Sequence, residues 1–154
     1  MMKLLRSLVS LALILVLLSG CSVEPKPIPY GQANCVHCSM TVSDSRYGAE
    51  LVNDKGKAYF FDSAECLAAY LNEQPGLSQK AAFVLVSDYT NPEKLIEAEQ
   101  AYFLQSRELP SPMGMFLTAV ADKAAAGQLQ QEYGGRLLTW NQVKEAVKQH
   151  DKPE

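Results

Sequence analysis

Six consecutive residues, Cys35-Val36-His37-Cys38-Ser39-Met40, bring together two thiols, an imidazole and a thioether. Thiolate and thioether donors select Cu(I), which is stable with only two or three ligands. Cys38 and Met40 lie two apart, and in an extended segment residues i and i+2 face the same side, so both sulfurs could reach one ion. A Cys-x-x-Cys also serves as a dithiol redox pair, but that motif belongs at the strand-to-helix junction of a βαβ unit. Here it follows a proline-rich stretch and runs into Thr41-Val42. Half of a zinc site is a third reading, but only Cys66 and His150 remain to complete it, and they form no recognisable second pair. From the local residues a soft-metal site and a disulfide or redox pair both stay open. His37 is then either a nitrogen ligand or a group that tunes the thiols.

A second sulfur cluster is Pro112-Met113-Gly114-Met115. Methionine usually fills gaps in a core, and Met115, at the start of an apolar run, is expected to do so. Met113 stands between a proline and a glycine, in a loop that presents its side chain. A thioether from here could close over Cys38 and Met40. The other candidates have plainer readings. Cys66 is expected to be a buried, inert thiol in mid-helix, Asp62 a helix cap, His150 solvated near the C-terminus, and Asp44 with Arg46 an ion pair beside the motif.

The elements that must position these groups follow from periodicity and turn residues. Ala49–Val52 and Ala58–Phe61 read as a hairpin about Asn53-Asp54-Lys55-Gly56-Lys57. A helix begins at Asp62 or Ser63 and ends before Gln74-Pro75-Gly76, and 81–89 is a strand. The pattern then recurs: a strand at 100–105, a loop with Pro110 and Pro112, a strand at 115–120, a helix at 122–133, and a short strand at 137–139. A last helix over 140–149 has Trp140, Val143 and Val147 on one face. The expectation is an α+β fold of two pseudo-repeated β-β-α-β units, small antiparallel-rich sheets each backed by a helix, plus a C-terminal helix. The first unit spans 34–98 and the second 99–150, with a cleft between them.

The start of the chain reads as an export signal. Lys3 and Arg6 precede an apolar run over Leu8–Leu18, about 16 Å of helix against a hydrocarbon core near 30 Å, which suits a signal peptide and not a membrane span. The run ends in Leu18-Ser19-Gly20-Cys21, so residues 1–20 are expected to be removed and Cys21 to carry lipid. Residues 21–33, with prolines at 25, 27 and 29, read as a tether of moderate stiffness. With Cys21 so used, three cysteines remain of four, and an odd number in an exported protein leaves at least one thiol free, intermolecular or metal-bound. The charge, 14 Lys+Arg against 17 Asp+Glu, with no basic cluster, argues against nucleic-acid binding.

Together these residues resemble the NosL family of copper-binding lipoproteins. The resemblance is carried by the lipobox at Cys21, by Cys38-Ser39-Met40 matching the family's Cys-x-Met, and by Gly56–Asp62 running into the helix with Cys66. Pro112-Met113-Gly114 and Gly134–Trp140 complete it. It implies a metallochaperone, not an enzyme, on the periplasmic side of a bacterial membrane, binding Cu(I) through Cys38, Met40 and Met113, with Cys35 and His37 as further candidates. The implied partners are nitrous oxide reductase and its ABC-transporter maturation complex; homodimerisation stays open. So does the choice of membrane, because Ser22 leans toward the outer one and the transporter toward the inner. Many relatives have Gly where this chain has Ser39, a small residue expected to cost nothing. The alternatives are a thiol-disulfide redox lipoprotein using Cys35 and Cys38, or a copper-insertion lipoprotein for another cuproenzyme.

Overall fold

The structure is a computed structural model that describes residues 23–150; the leader and Cys21 lie outside the described residues. Strand β1 (Ala49–Asn53) pairs antiparallel with β2 (Ala58–Phe61) and with β3 (Ala81–Asp88), so that Leu51 lies opposite both Tyr59 and Val84. Helix α1 (Ala64–Glu73) and a short α2 (Pro75–Ser78) connect β2 to β3. Strand β4 (Asn91–Glu97) then extends the sheet to the order β2-β1-β3-β4. After one 3-10 turn at Ala98–Gln100, β5 (Tyr102–Gln105) sits between β6 (Leu117–Val120) and β7 (Arg136–Leu138), and α3 (Lys123–Tyr133) links β6 to β7. Helix α4 (Trp140–His150) closes the fold. The expected α+β architecture is therefore present. In each unit the first strand lies between the second and third, antiparallel to both.

The helices begin where side chains satisfy their free amides. Ser63, not Asp62, caps α1 by accepting from Cys66 N–H, and Asp122 caps α3 by accepting from Ala124 and Ala125 N–H. Ahead of α4, Thr139 and Gln142 bond reciprocally, each side chain reaching the other's backbone amide; each such cap is worth about 1 kcal/mol. Trp140, Val143 and Val147 are buried as their spacing predicts, and Trp140 stacks on Phe103 with ring centroids 5.5 Å apart.

Three features differ from the expectations. Strand β4 falls in a stretch to which the sequence assigns no element: Asn91-Pro92-Glu93-Lys94 carries no apolar alternation, and it is a strand because it pairs along the edge of β3. The two units also share one apolar core, in which Leu51, Phe61 and Leu67 pack with Phe103, Leu117 and Val143, and Tyr89 N–H bonds Ala119 C=O from one sheet to the other. Lastly, the proline-rich segment is not a free tether over its whole length. Lys26 N–H donates to the buried Glu50 carboxylate at 2.8 Å, Ile28 enters the core and Tyr30 bonds Ser87. No helix among the described residues is long and apolar enough to cross a membrane.

A candidate metal centre at the first turn of helix α1

The motif segment folds back on itself. Cys35 N–H bonds Met40 C=O at 2.7 Å, Ser39 N–H bonds Cys35 C=O at 2.9 Å, and Asn34 bridges to Thr41. Val36 N–H then donates to Phe60 C=O on the outer edge of β2 at 3.0 Å, which fastens the loop to the sheet. To make the turn, Ser39 takes φ +65°, a left-handed conformation that costs a residue with a Cβ about 1 kcal/mol. The expectation that Ser39 replaces glycine at no cost, because it is small, misses this conformational term. We expect Ser39→Gly to raise unfolding stability by about 0.5–1 kcal/mol, seen as a higher urea midpoint; an unchanged or lower midpoint would show that the turn is unstrained.

This loop carries two thiols to the start of α1. Counted from the Ser63 cap, Cys66 is the third residue of the helix, in the first turn, where the helix dipole favours negative charge. Ligand atoms of Cys35, Cys38, Cys66 and Asp62 all lie within 4.8 Å of one another. Sulfurs sharing an ion at roughly 2.3 Å each lie no more than about 4.6 Å apart, so the cluster needs little closing to grip one. Cys35, Cys66 and Asp62 are buried, Cys38 is partly exposed, and all three thiols are free. The Cys38 thiol donates to Asp62 Oδ2 at 3.5 Å, while Asp62 Oδ1, also buried, has no hydrogen-bond partner.

The electrostatics are those of donors sharing too few protons. The Cys66 S–H donates to Cys35 and, with nearby backbone amides, lowers the Cys35 pKa to about 6. The same bond pushes Cys66 far up, burial and Asp62 adding to it, and burial pushes Cys38 up to about 11. Cys35 is thus the thiol most ready to ionise, while Cys38 and Cys66 hold their protons more tightly. A soft cation displaces those protons and neutralises the crowded sulfurs, which is how thiolate sites couple metal binding to proton release.

The other candidate residues are placed unevenly. A cavity of about 140 Å³ borders Cys66 and is lined by His37, Glu65, Met113, Met115 and His150. Met113, exposed in its loop, therefore lines the same cavity as Cys66. His37 Nδ1 lies 3.7 Å from Glu73. The Met40 side chain is half exposed. The left-handed Ser39 between it and Cys38 breaks the extended geometry expected to align the two sulfurs. Asp44 and Arg46 form the expected ion pair at 2.7 Å, with the guanidinium beside the Tyr47 and Tyr89 rings.

Sequence reading missed Cys66 and Asp62. Asp62 does not cap the helix, and Cys66 is neither in mid-helix nor isolated. The available signal was the cap itself, since a cysteine three residues after a Ser cap sits at a helix N-terminus.

Comparison with known proteins gives the family and the fold. The NosL family model matches residues 28–148, most of the chain and all of the site. The chain belongs to the NosL family. It is 26% identical over 145 residues, 86% of this chain and 76% of the relative, to a protein of Stutzerimonas stutzeri described as the copper-binding lipoprotein NosL. Its fold is that of the crystal structure of the copper chaperone NosL from Shewanella denitrificans. That match has a TM-score of 0.68 and 20% identity, covering 81% of this chain and 98% of the other. The NosL match takes in both sulfur loops, Cys35–Met40 and Pro112–Met115.

Proposed function

We propose that this NosL-family chain is a lipid-anchored periplasmic metallochaperone that binds Cu(I) and hands it on for assembly of the copper centres of nitrous oxide reductase. The reading is carried by the convergence of three free thiols beside a buried carboxylate at the first turn of α1; the thiols are donors suited to a soft monovalent cation. Its relatives' description as copper proteins adds support. Cys38, partly exposed beside two buried thiols, is the natural point of entry. Met40 and Met113, exposed nearby, offer weaker thioether bonds that an incoming partner can replace one at a time. The chemistry is binding and ligand exchange, without turnover. The transporter complex that matures the reductase is the proposed site of handover. Lipid on Cys21 would hold the domain close to it. Since Lys26 is already docked on the sheet, only the four residues 22–25 separate the anchor from the folded domain, so the chain from Cys21 to Lys26 spans at most about 18 Å. That short reach raises the effective concentration of the partners.

Cargo binding requires reduced thiols, because the thiolate is the ligand. Reduced protein handled without oxygen is expected to hold Cu(I) against a chelator. Protein oxidised with diamide, a two-electron oxidant that joins Cys35 and Cys38 in a disulfide and takes up their two protons, is expected to bind at least about 100-fold more weakly. Equal affinity in both states would overturn the reading. A thiol-disulfide enzyme would instead reduce insulin and lose that activity in Cys35→Ser.

A further inference from the structure

The loop that carries Met113 is gathered on a single hydroxyl. Ser111 Oγ accepts from Phe116 N–H at 2.9 Å and from Leu117 N–H at 3.3 Å, so the two ends of the loop are drawn together. Between them Gly114 N–H bonds Ser111 C=O at 3.0 Å, with Gly114 at φ +75°. A hydroxyl has one proton and two acceptor positions. Here both acceptor positions are used, and the proton goes to Glu65 Oε1. Glu65 is 2% exposed and stands in the first turn of α1, next to Cys66. The bond thus ties the two halves of the molecule together one residue from a cluster thiol and two residues from Met113. Glu65, Cys66 and Met113 all line the same cavity.

A buried carboxyl is an expensive way to hold a loop. Removing it from water costs several kcal/mol unless it is well bonded, and Glu65 Oε2 has no partner. An apolar contact would hold the loop more cheaply but would let it slide. The hydrogen bond adds direction, and with it a defined distance across the cavity.

We propose that Glu65, acting through Ser111, is a positioning residue that sets the Met113 thioether at ligand distance from the thiol cluster. The inference rests on the reading that this cluster carries Cu(I). Ser111→Ala is expected to weaken Cu(I) binding about tenfold, as loss of a group that orients a metal ligand does. It also lowers the copper–thioether contribution to the X-ray absorption spectrum by the share that Met113 supplies, leaving that of Met40. In a Met113→Leu background the same substitution has no further effect. Glu65→Gln keeps an acceptor for the hydroxyl and retains both the affinity and the thioether signal.

The inference is overturned if Ser111→Ala binds like the parent, or if its loss is the same with and without Met113. Glu65→Gln, nearly isosteric, supplies an independent check should Ser111→Ala not fold. Loss of the Met113 share of the thioether signal in that variant would show that charge, not the hydrogen bond, is what matters. Parent protein that binds no Cu(I) sinks the metallochaperone reading itself. Parent protein that binds Cu(I) without a thioether signal sinks only the role given to Glu65.

Discussion

Cys38→Ser lowers Cu(I) affinity about 10²- to 10³-fold, and Cys66→Ser does nearly as much. The size follows from the energy of thiolate sites. Four-ligand structural zinc sites are worth roughly 10–16 kcal/mol, or about 2.5–4 kcal/mol for each ligand, and each 1.4 kcal/mol is tenfold in affinity. A serine hydroxyl does not ionise at neutral pH and does not replace a thiolate. Met40→Leu, which removes a half-exposed thioether, costs about tenfold or less, since a thioether brings no charge to neutralise the ion. The ranking separates two ligand sets. Family resemblance alone implies Cys38, Met40 and Met113, so that Cys66→Ser would leave affinity unchanged. The convergence of Cys35, Cys38, Cys66 and Asp62 puts Cys66 among the proposed ligands, so its loss is expected to weaken binding. The measurement is chelator competition on anaerobic protein, with circular dichroism of the metal-free variants to confirm folding. Parent-like affinity in Cys66→Ser would show that the buried thiols are only neighbours of the metal.

Gly135→Ala destabilises the domain by about 3–5 kcal/mol, a large share of what a domain of this size has. Gly135 opens the turn into β7 with φ +93°, a conformation that residues with a Cβ rarely adopt. A Cβ there would overlap the Gln105 carbonyl oxygen and lie 3.0 Å from Gln105 C and Ser106 Cα. All three atoms are backbone, so no side chain can turn aside; the pairing of β5 with β7 at Gln105 and Arg136 must open instead. Gly134, at φ +65° with open space around it, is the control. With ψ −161° it lies in a region that glycine alone enters readily, so its replacement by alanine incurs a conformational penalty of about 1–3 kcal/mol without the backbone overlap. Urea unfolding of the two variants gives the comparison. Equal, small shifts in midpoint would show that the strands relax around the new methyl group.

The amino-acid sequence by itself determined the elements, apart from β4 and the short helix α2, and the chemistry on offer. Turn residues about Lys55, the stop at Gln74-Pro75-Gly76 and the Trp140, Val143, Val147 spacing are local signals, and local signals dictate local backbone. The donors of Cys35–Met40 and Pro112–Met115 are legible for the same reason, being adjacent in the chain. Strand β4 escaped because nothing in Asn91–Lys94 alternates; pairing with β3 makes it a strand. The docking of Lys26 on Glu50 and the left-handed Ser39 likewise depend on what lies beside them. Most of all, only the tertiary structure decided which soft donors meet. Cys35 and Cys66 stand 31 positions apart. They converge because one loop is fastened to the edge of β2 and the next element begins its helix at Ser63. Glu65 reaches Ser111 because α1 packs under the second sheet's loop. Such meetings are set by strand register and helix placement, which belong to the packed core as a whole and to no short stretch of residues.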